Sequence, residues 1–220
     1  MEWTESYGSQ VVKWNGQNQS SPICTPVSIN KLWGTSSSDL YAVGNSGNIA
    51  HYDGVSWKKI ESGTTTLISD IWGVDKNGIT TAFCPVSSVF NPPQDKKILK
   101  ITNDKVDSIN WEINSIVYSC WTSNLNFLYV GGEGVFINKF GIWEEINLPA
   151  ITINSIRGND INDVFAVGSL GTIFHFNGAN WQVIEVYTEK ENYRVEVKND
   201  IVAICGYYHG KGFIQIGKRN

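Results

Sequence analysis

Residues 29–60 read INKLWGTSSSDLYAVGNSGNIAHYDGVSWKKI, and residues 153–184 read INSIRGNDINDVFAVGSLGTIFHFNGANWQVI. The two stretches align without a gap over 32 positions. They share the skeleton IN-x-[LI]-x-G, D-[LV]-[YF]-A-V-G and G-x-I-x-H-[YF]-[DN]-G-x-x-W. A match of this length indicates an internal repeat, and the number and form of its copies decide the fold.

Three weaker copies of the same skeleton fill the rest of the chain. One opens at residues 68–73 (ISDIWG), a second at 113–121, and the most degraded at 193–198. Positions equivalent to Trp33 recur about every 36 to 49 residues, the range of propeller blades rather than of helical repeats. We therefore predict one all-β domain over residues 1–220, a β-propeller of five blades with four antiparallel strands each. The predicted blades are residues 28–65, 66–112, 113–150, 151–188, and 189–220 together with 1–27.

Within each copy the residue types place four strands, A to D. Residues 29–33 alternate in polarity and are predicted to line the central channel as strand A. Residues 40–43 are almost entirely apolar, as expected of a strand B buried between neighbouring blades. Asp53-Gly54 and Asn177-Gly178 are strong signals for a two-residue hairpin between strands C and D.

The two ends of the chain compete for one place in the ring. Asn15-Gly16 lies about 38 positions before Asp53-Gly54, so residues 9–23 should be strands C and D of a blade. Residues 213–216 also read as a strand C. We expect the ring to close by pairing of the N- and C-terminal segments. The alternative is that the chain forms part of a longer array.

Charge and hydropathy disfavour two classes of function. The net charge is -4 and the 17 Lys and Arg residues are scattered, whereas nucleic-acid binding needs a concentrated positive face. No apolar run reaches about 18 residues, so no membrane span is predicted. Residues 1–5 lack the basic and apolar parts of a signal peptide.

The four cysteines match no metal site. Cys24, Cys84, Cys120 and Cys205 form no CxxC pair and have no zinc spacing. The last three fall in or beside strands of different blades, so we expect buried free thiols that act as small apolar side chains. A disulfide between neighbouring blades is the alternative.

The repeat skeleton resembles repeats of bacterial secreted proteins and lipoproteins with predicted propellers, akin to the Ycf48-like and Asp-box families. It departs from the Asp-box motif, because no S-x-D-x-G-x-T-W string occurs. The resemblance implies a propeller and an extracytoplasmic location, with the signal removed, but it carries over no catalytic residue. A looser resemblance, in size, period and tryptophan content, is to the five-bladed tachylectin-like lectins.

Histidines and carboxylates mostly belong to the repeat. His51 and His175 occupy the same position in two copies, so each is predicted to bridge strands rather than to catalyse. No nucleophile motif or phosphate-binding loop occurs. A glycosidase would need paired carboxylates in the channel, where only Asp70 and Glu196 are candidates.

Two sets of residues are candidates for ligand binding. The Trp33 position of each copy would place indoles and guanidinium groups at one level of the ring, where they could stack on sugars or bind carboxylates; the alternative is that they fill the channel wall. The second set lies where the sequence departs from the repeat, at the turn 207–211 and in the long loop 87–97. The candidates are Trp33, Trp72, Trp121, Arg157, Arg194, Tyr207, Tyr208 and His209.

These observations favour a non-catalytic scaffold that binds a protein or peptide through one face of the propeller. A lectin-like carbohydrate-binding module is the alternative, with a glycan as its ligand, and a glycoside hydrolase comes third. We expect a monomer with no cofactor and no metal. Fold alone does not decide among these functions.

Overall fold

The computed structural model describes residues 9–88, 96–109, 111, 113 and 115–218. These residues form five antiparallel meanders around one axis, so the chain is the all-β, five-bladed propeller that the repeat predicts. Helical structure in this part of the chain is limited to a 3₁₀ turn at Asn45–Gly47.

The strands follow the repeat, with consecutive strands paired in each blade. Two short strands, β1 (Gln10–Val11) and β2 (Ile23–Cys24), precede the blades and pair with each other. The blade strands are β3 (Lys31–Ser36), β4 (Asp39–Val43), β5 (Ile49–Tyr52) and β6 (Trp57–Ile60) in blade 1; β7 (Trp72–Lys76), β8 (Ile79–Val86), β9 (Lys97–Thr102) and β10 (Lys105–Ile109) in blade 2; β11 (Val117–Asn124), β12 (Phe127–Gly132), β13 (Gly134–Lys139) and β14 (Ile142–Glu145) in blade 3; β15 (Ile153–Asp160), β16 (Asp163–Gly168), β17 (Ile173–Phe176) and β18 (Trp181–Glu185) in blade 4; and β19 (Lys190–Lys198), β20 (Ile201–Tyr208) and β21 (Lys211–Lys218) in blade 5.

The turns between strands C and D form as the Asx-Gly pairs predict. Asp53 Oδ1 accepts hydrogen bonds from the N–H groups of Val55 and Ser56, at 2.9 and 2.8 Å. Asn177 Oδ1 accepts the equivalent pair in blade 4, both at 3.0 Å. The glycines that follow have φ of 93° and 90°, a conformation that side chains with a Cβ rarely adopt.

Apolar side chains on both faces of the sheets hold the blades together. Val43 and Ile49 of blade 1 share one core with Ile71 and Cys84 of blade 2, and all four are fully buried. Because the sheets of blades 2 to 4 are covered on both faces by their neighbours, their strand B is largely buried, as predicted.

Strand A of three blades is also tied to the next blade by a side-chain oxygen. The acceptor occupies one repeat position in each case and takes the N–H of the following blade's strand A. The pairs are Asp70 Oδ2 with Cys120 N at 3.2 Å, Ser119 Oγ with Ile156 N at 3.1 Å, and Ser155 Oγ with Val195 N at 3.3 Å. Blades 1 and 5 carry Lys31 and Arg194 at this position, and neither side chain can accept a hydrogen bond.

Strand pairing in blade 5 differs from the predicted closure. In the described residues β21 pairs with β20 alone, and β1 pairs with β2 rather than with the C-terminal segment. The physical reason is local: the N-terminal strands β1 and β2 pair with each other, and a pairing between segments close in sequence loses less chain entropy than one between distant ends. The fifth sheet therefore has three strands.

The N-terminal segment lies instead against blade 1. Val27 is buried and packs with Ala42 and Ala50, on the face of blade 1 that points away from blade 2. The N–H of Ser9 donates to the carbonyl of Val27, and Thr25 N–H donates to the carbonyl of Ser9. This segment covers part of a face that a preceding blade would cover.

Candidate functional site

Four of the five side chains predicted at the Trp33 position occupy equivalent register positions in their blades. Trp33, Trp72, Trp121 and Arg157 pair in the same register with strand B of their blades. In blade 5 the prediction of Arg194 is wrong, because Glu196 occupies this register position. Arg194 lies two residues earlier and is exposed, with its guanidinium 2.9 Å from the carbonyl of Tyr193.

Arg157 of blade 4 reaches past blade 3 to Asp70 of blade 2. Its two terminal nitrogens donate to the two carboxylate oxygens at 2.9 and 2.8 Å. The guanidinium also donates to the carbonyl of Cys120 at 3.0 Å and lies 4.6 Å from the ring centre of Trp72. Arg157 is 1% exposed and Asp70 is 4% exposed, so this pair is buried where blades 2, 3 and 4 meet.

The electrostatics of the pair favour both charges. Burial opposes ionisation of Asp70, but the charge and hydrogen bonds of Arg157 outweigh it and hold the pKa of Asp70 below its ordinary value. Burial likewise opposes the charge of Arg157, and the Asp70 carboxylate raises the pKa of Arg157 above its ordinary value. Both groups are therefore ionised at neutral pH.

The tryptophans at this level lie between blades. A Cβ on Gly73 would come within 2.8 Å of the Trp33 ring, and one on Gly158 within 3.0 Å of the Trp121 ring. Trp72 donates its indole N–H to the carbonyl of Thr122 at 3.0 Å. Trp121 is 2% exposed, so its role in the described structure is to pack against the next blade.

The second set of candidates lies at the turn between β20 and β21. Tyr208 contacts Tyr187, with the two hydroxyl oxygens 3.2 Å apart, and this hydrogen bond raises the pKa of Tyr208. His209 Nε2 lies 2.7 Å from a carboxylate oxygen of Glu189. Tyr207, the neighbouring residue, is 46% exposed. The predicted turn residues thus meet the segment that enters blade 5.

A groove of about 400 Å³ opens beside this turn, between blades 4 and 5. Its wall is mainly aromatic, and one ammonium group is fixed within it. Lys190 Nζ lies 2.7 Å from Glu185 and 2.6 Å from the amide oxygen of Gln215. It also sits 4.8 Å from the ring centre of Phe213. The lining residues are Glu185, Tyr187, Lys190, Tyr208 and Phe213.

Charge pairing organises the floor of the groove. Partial burial opposes ionisation of Glu185, but hydrogen bonds from Lys190 and Gln215 outweigh it and lower the pKa of Glu185.

The sequence analysis missed Glu185, Tyr187, Lys190 and Phe213. Their signal was the departure of residues 185–190 from the repeat, which lies directly before the degraded fifth copy.

The two departures from the repeat that the sequence analysis named, at 207–211 and 87–97, both connect strand B to strand C. The turn 209–210 joins β20 to β21, and the loop 87–96 joins β8 to β9 in the same position of blade 2. Residues 89–95 of that predicted loop lie outside the described residues. The B–C turns and the links between blades share one end of the propeller, and the groove opens at this end.

The histidines of the repeat bridge strands, as predicted. His51 Nε2 lies 2.7 Å from Asp39 and its Nδ1 lies 2.9 Å from Asp104 of blade 2. His175 Nε2 lies 2.9 Å from Asp163 in blade 4. Both rings stack on the aromatic residue of strand B.

All four cysteines are free thiols. Cys84 and Cys120 are buried as predicted, and burial raises the pKa of both thiols. Cys205 is exposed, contrary to the prediction, because it lies on the face of blade 5 that the described residues leave partly open, in a cleft also lined by Lys31. Cys24 is also exposed.

The described residues contain neither a membrane-spanning helix nor a cluster of metal ligands. None of their helices is long and apolar enough to cross a membrane. Across the same ranges, no three His, Cys, Asp or Glu side chains are grouped so as to hold a metal ion.

Comparison with known proteins identifies the fold. No family model and no curated protein matches this sequence. Among solved structures, YCF48 bound to D1 peptide is similar, with 13% identity and a TM-score of 0.66 over 93% of this chain and 69% of that chain. BBS1N in complex with ARL6 has 12% identity and a TM-score of 0.67 over 96% and 72%. The GH74 enzyme of Niastella koreensis has 12% identity and a TM-score of 0.66, and the match covers 86% of this chain but only 35% of the enzyme. At such identities the likeness shows the fold alone: the chain is a β-propeller, similar in fold to YCF48, to BBS1N and to the GH74 enzyme.

Proposed function

We propose that this chain is a non-catalytic scaffold that binds a peptide segment of another protein at the groove between blades 4 and 5. The observation that carries the proposal is the groove itself. Tyr187, Tyr208 and Phe213 supply rigid apolar surface, and Lys190 supplies one oriented charge. A mainly apolar cleft with a few fixed polar groups is the usual form of a binding site.

The centre of the ring supports a binding function over hydrolysis. A glycosidase needs two carboxyl groups that face the sugar at a defined separation. Asp70 is buried against Arg157 and does not reach solvent. The similar structures include two whose names give a peptide or protein partner, YCF48 with the D1 peptide and BBS1N with ARL6. This likeness supports a scaffold role, and the extracytoplasmic location expected from the repeat skeleton is part of the same proposal.

A phage display of random peptides tests the proposal. The wild-type chain is the bait, and a Tyr187→Ala/Tyr208→Ala double variant is the counter-bait. Tyr193→Ala is the matched control, since Tyr193 is a half-exposed tyrosine outside the groove. We expect enriched peptides that bind wild type and Tyr193→Ala and lose binding to the double variant.

Two results would overturn the proposal. One is enrichment of peptides that bind the double variant as well as wild type. The other is a glycan array that shows saturable binding while no peptide is enriched, which would establish the carbohydrate-binding alternative.

A further inference from the structure

Within the described part of the chain, no strand pairs with the outer edge of β21, where each other blade carries a strand D. In blades 1 to 4 strand C pairs on its outer side with a strand D, which is β6, β10, β14 or β18. In the described residues β21 pairs only with β20. An edge of eight residues, Lys211–Lys218, is therefore left with backbone donors and acceptors that no described strand takes up.

One face of β21 is apolar and uncovered. Ile214 and Ile216 are 76% and 62% exposed. The register of strand pairing gives Ile214 four counterparts, one in each other blade, and these are 0 to 3% exposed: Ile49, Ile98, Val135 and Ile173. In blades 1 to 4 this position packs against the next blade. In blade 5 it stays exposed, in an open cleft that Lys31 of blade 1 also lines.

Proteins usually blunt a long exposed edge strand, because it is a template for pairing with another chain. β21 has neither a proline nor a bulge, and lysines stand only at its two ends. Antiparallel pairing of β21 with β21 of a second copy, centred on the strand, would set each Lys211 opposite a Lys218. Like charges directly opposite each other destabilise a sheet. The edge therefore disfavours a second copy and favours a strand with acidic ends.

We propose that β21 accepts an extended peptide segment as the fourth strand of blade 5, antiparallel to it, with apolar residues opposite Ile214 and Ile216 and acidic residues opposite Lys211 and Lys218. The proposal rests on the proposed function and names the class of peptide and its mode of binding. Strand addition of this kind takes affinity from the backbone and specificity from alternate side chains.

The groove adjoins the other face of the same edge. Phe213 lines the groove, and Gln215 is hydrogen-bonded to Lys190 within it. Side chains alternate between the faces of a strand. The added residue opposite Phe213 would therefore point into the groove, while its neighbour would pack on Ile214.

The probe is the fluorescein-labelled peptide Glu-Thr-Val-Thr-Val-Leu-Thr-Glu, whose first residue lies opposite Lys218 in the proposed register. Its analogue with lysine at both ends is the charge control. We expect fluorescence anisotropy to show saturable binding that is at least about tenfold weaker for the lysine analogue. In a Lys211→Glu/Lys218→Glu variant the preference should reverse. Equal affinity of the two peptides for both proteins would contradict the charge pattern.

Backbone methylation tests strand addition itself. One analogue of the probe is N-methylated at the residues in odd positions and the other at those in even positions. Only alternate N–H groups of an added strand point to its neighbour. We expect one analogue to lose at least about tenfold in affinity and the other to bind like the parent. Loss in neither analogue, or equal loss in both, would overturn the proposal.

Protein variants locate the site. Ile214→Lys should weaken binding of the probe, while Val55→Lys should not, since Val55 is an 88% exposed apolar residue on a turn of blade 1. If phage-derived peptides need Tyr187 and Tyr208 but tolerate both methylation patterns, strand addition is wrong and the proposed function stands. If the display enriches no groove-dependent peptide, the proposed function itself fails.

Discussion

Arg157 occupies the position where three other blades carry tryptophan, and its contacts differ from those of the tryptophans. A tryptophan at this position packs toward the next blade, as Trp121 does against Gly158. The guanidinium instead reaches Asp70 of blade 2, and its Nη1 also donates to Ser119 Oγ and to the carbonyls of Cys120 and Ile156. Removal of one partner would leave a buried charge, which is the costly case for an ion pair.

We expect Arg157→Met to lower the free energy of unfolding by about 3–5 kcal/mol, because Asp70 would remain buried without its counter-charge. Urea denaturation measures the change. The double variant Asp70→Asn/Arg157→Met should lose less than the sum of the two single variants. Lys59→Met, at an exposed pair with Glu61, is the control and should change stability by no more than about 0.5 kcal/mol. Additive single effects would show that the two side chains do not act as a pair.

Acid stability should depend on Asp39. Partial burial opposes its ionisation, but hydrogen bonds from Thr35 and His51 outweigh burial and hold the pKa of Asp39 below its ordinary value of 3.8. A carboxyl group with a depressed pKa in the folded state contributes stability above its unfolded pKa and loses it as the pH falls below. Asp39→Asn should therefore lose less stability than wild type as the pH is lowered through 3.8.

Urea midpoints at neutral pH and below pH 3.8 measure this difference. Glu61→Gln, whose side chain is 90% exposed, is the control and should keep the wild-type profile. If the urea midpoint of Asp39→Asn falls with pH in parallel with that of wild type, ionisation of Asp39 does not contribute to stability in this pH range.

Among the structural elements, the contacts between blades draw on two recurring arrangements. A strand A side-chain oxygen holds the next blade's backbone, and a tryptophan covers a glycine of the next blade. The glycine is required by space: a Cβ on Gly73 would lie 2.4 Å from the carbonyl oxygen of Thr81 and 2.7 Å from the Cα of Ala82. Backbone atoms cannot move aside as a flexible side chain can.

We expect Gly73→Ala to lower the free energy of unfolding by about 1–3 kcal/mol through overpacking. Gly217→Ala is the control, since the nearest atom to its added Cβ would be 3.9 Å away. Thermal and urea unfolding of both variants measure the effect. Equal stability of the two variants would mean that β7 and β8 accommodate a Cβ at Gly73 without cost.

The sequence predicts the elements well where copies are strong and poorly where they are degraded. Blades 1 and 4 share the skeleton, so their turns, strand B and the histidine bridges could be read from residues 29–60 and 153–184. The fifth copy has lost the skeleton, and its strand A lies two residues away from the predicted register, with Glu196 instead of Arg194 at the Trp33 position. The Asp70–Arg157 pair could not be predicted, because it depends on how the ring brings blades 2 and 4 together.

At the scale of the whole molecule, the fifth and first blades each present a face that their counterparts bury. Leu32 of blade 1 is 37% exposed, while its counterparts in the other blades are 0 to 3% exposed: Ile71, Cys120, Ile156 and Val195. Ile214 of blade 5 is exposed in the same way. The ends of the blade series are thus where the repeat leaves apolar surface, and the groove and the free edge of β21 lie at one of these ends.

Hydrogen–deuterium exchange of the whole chain, with and without the Glu-flanked probe peptide, shows which blade holds the peptide. We predict that the peptide protects amides of β21 and of residues 185–190, because an added strand would bond the free edge and fill the adjoining groove. Amides in blades 1 to 3 should exchange at unchanged rates. Protection confined to another blade, or no protection at a concentration that saturates binding, would contradict the assignment of blade 5 as the binding site.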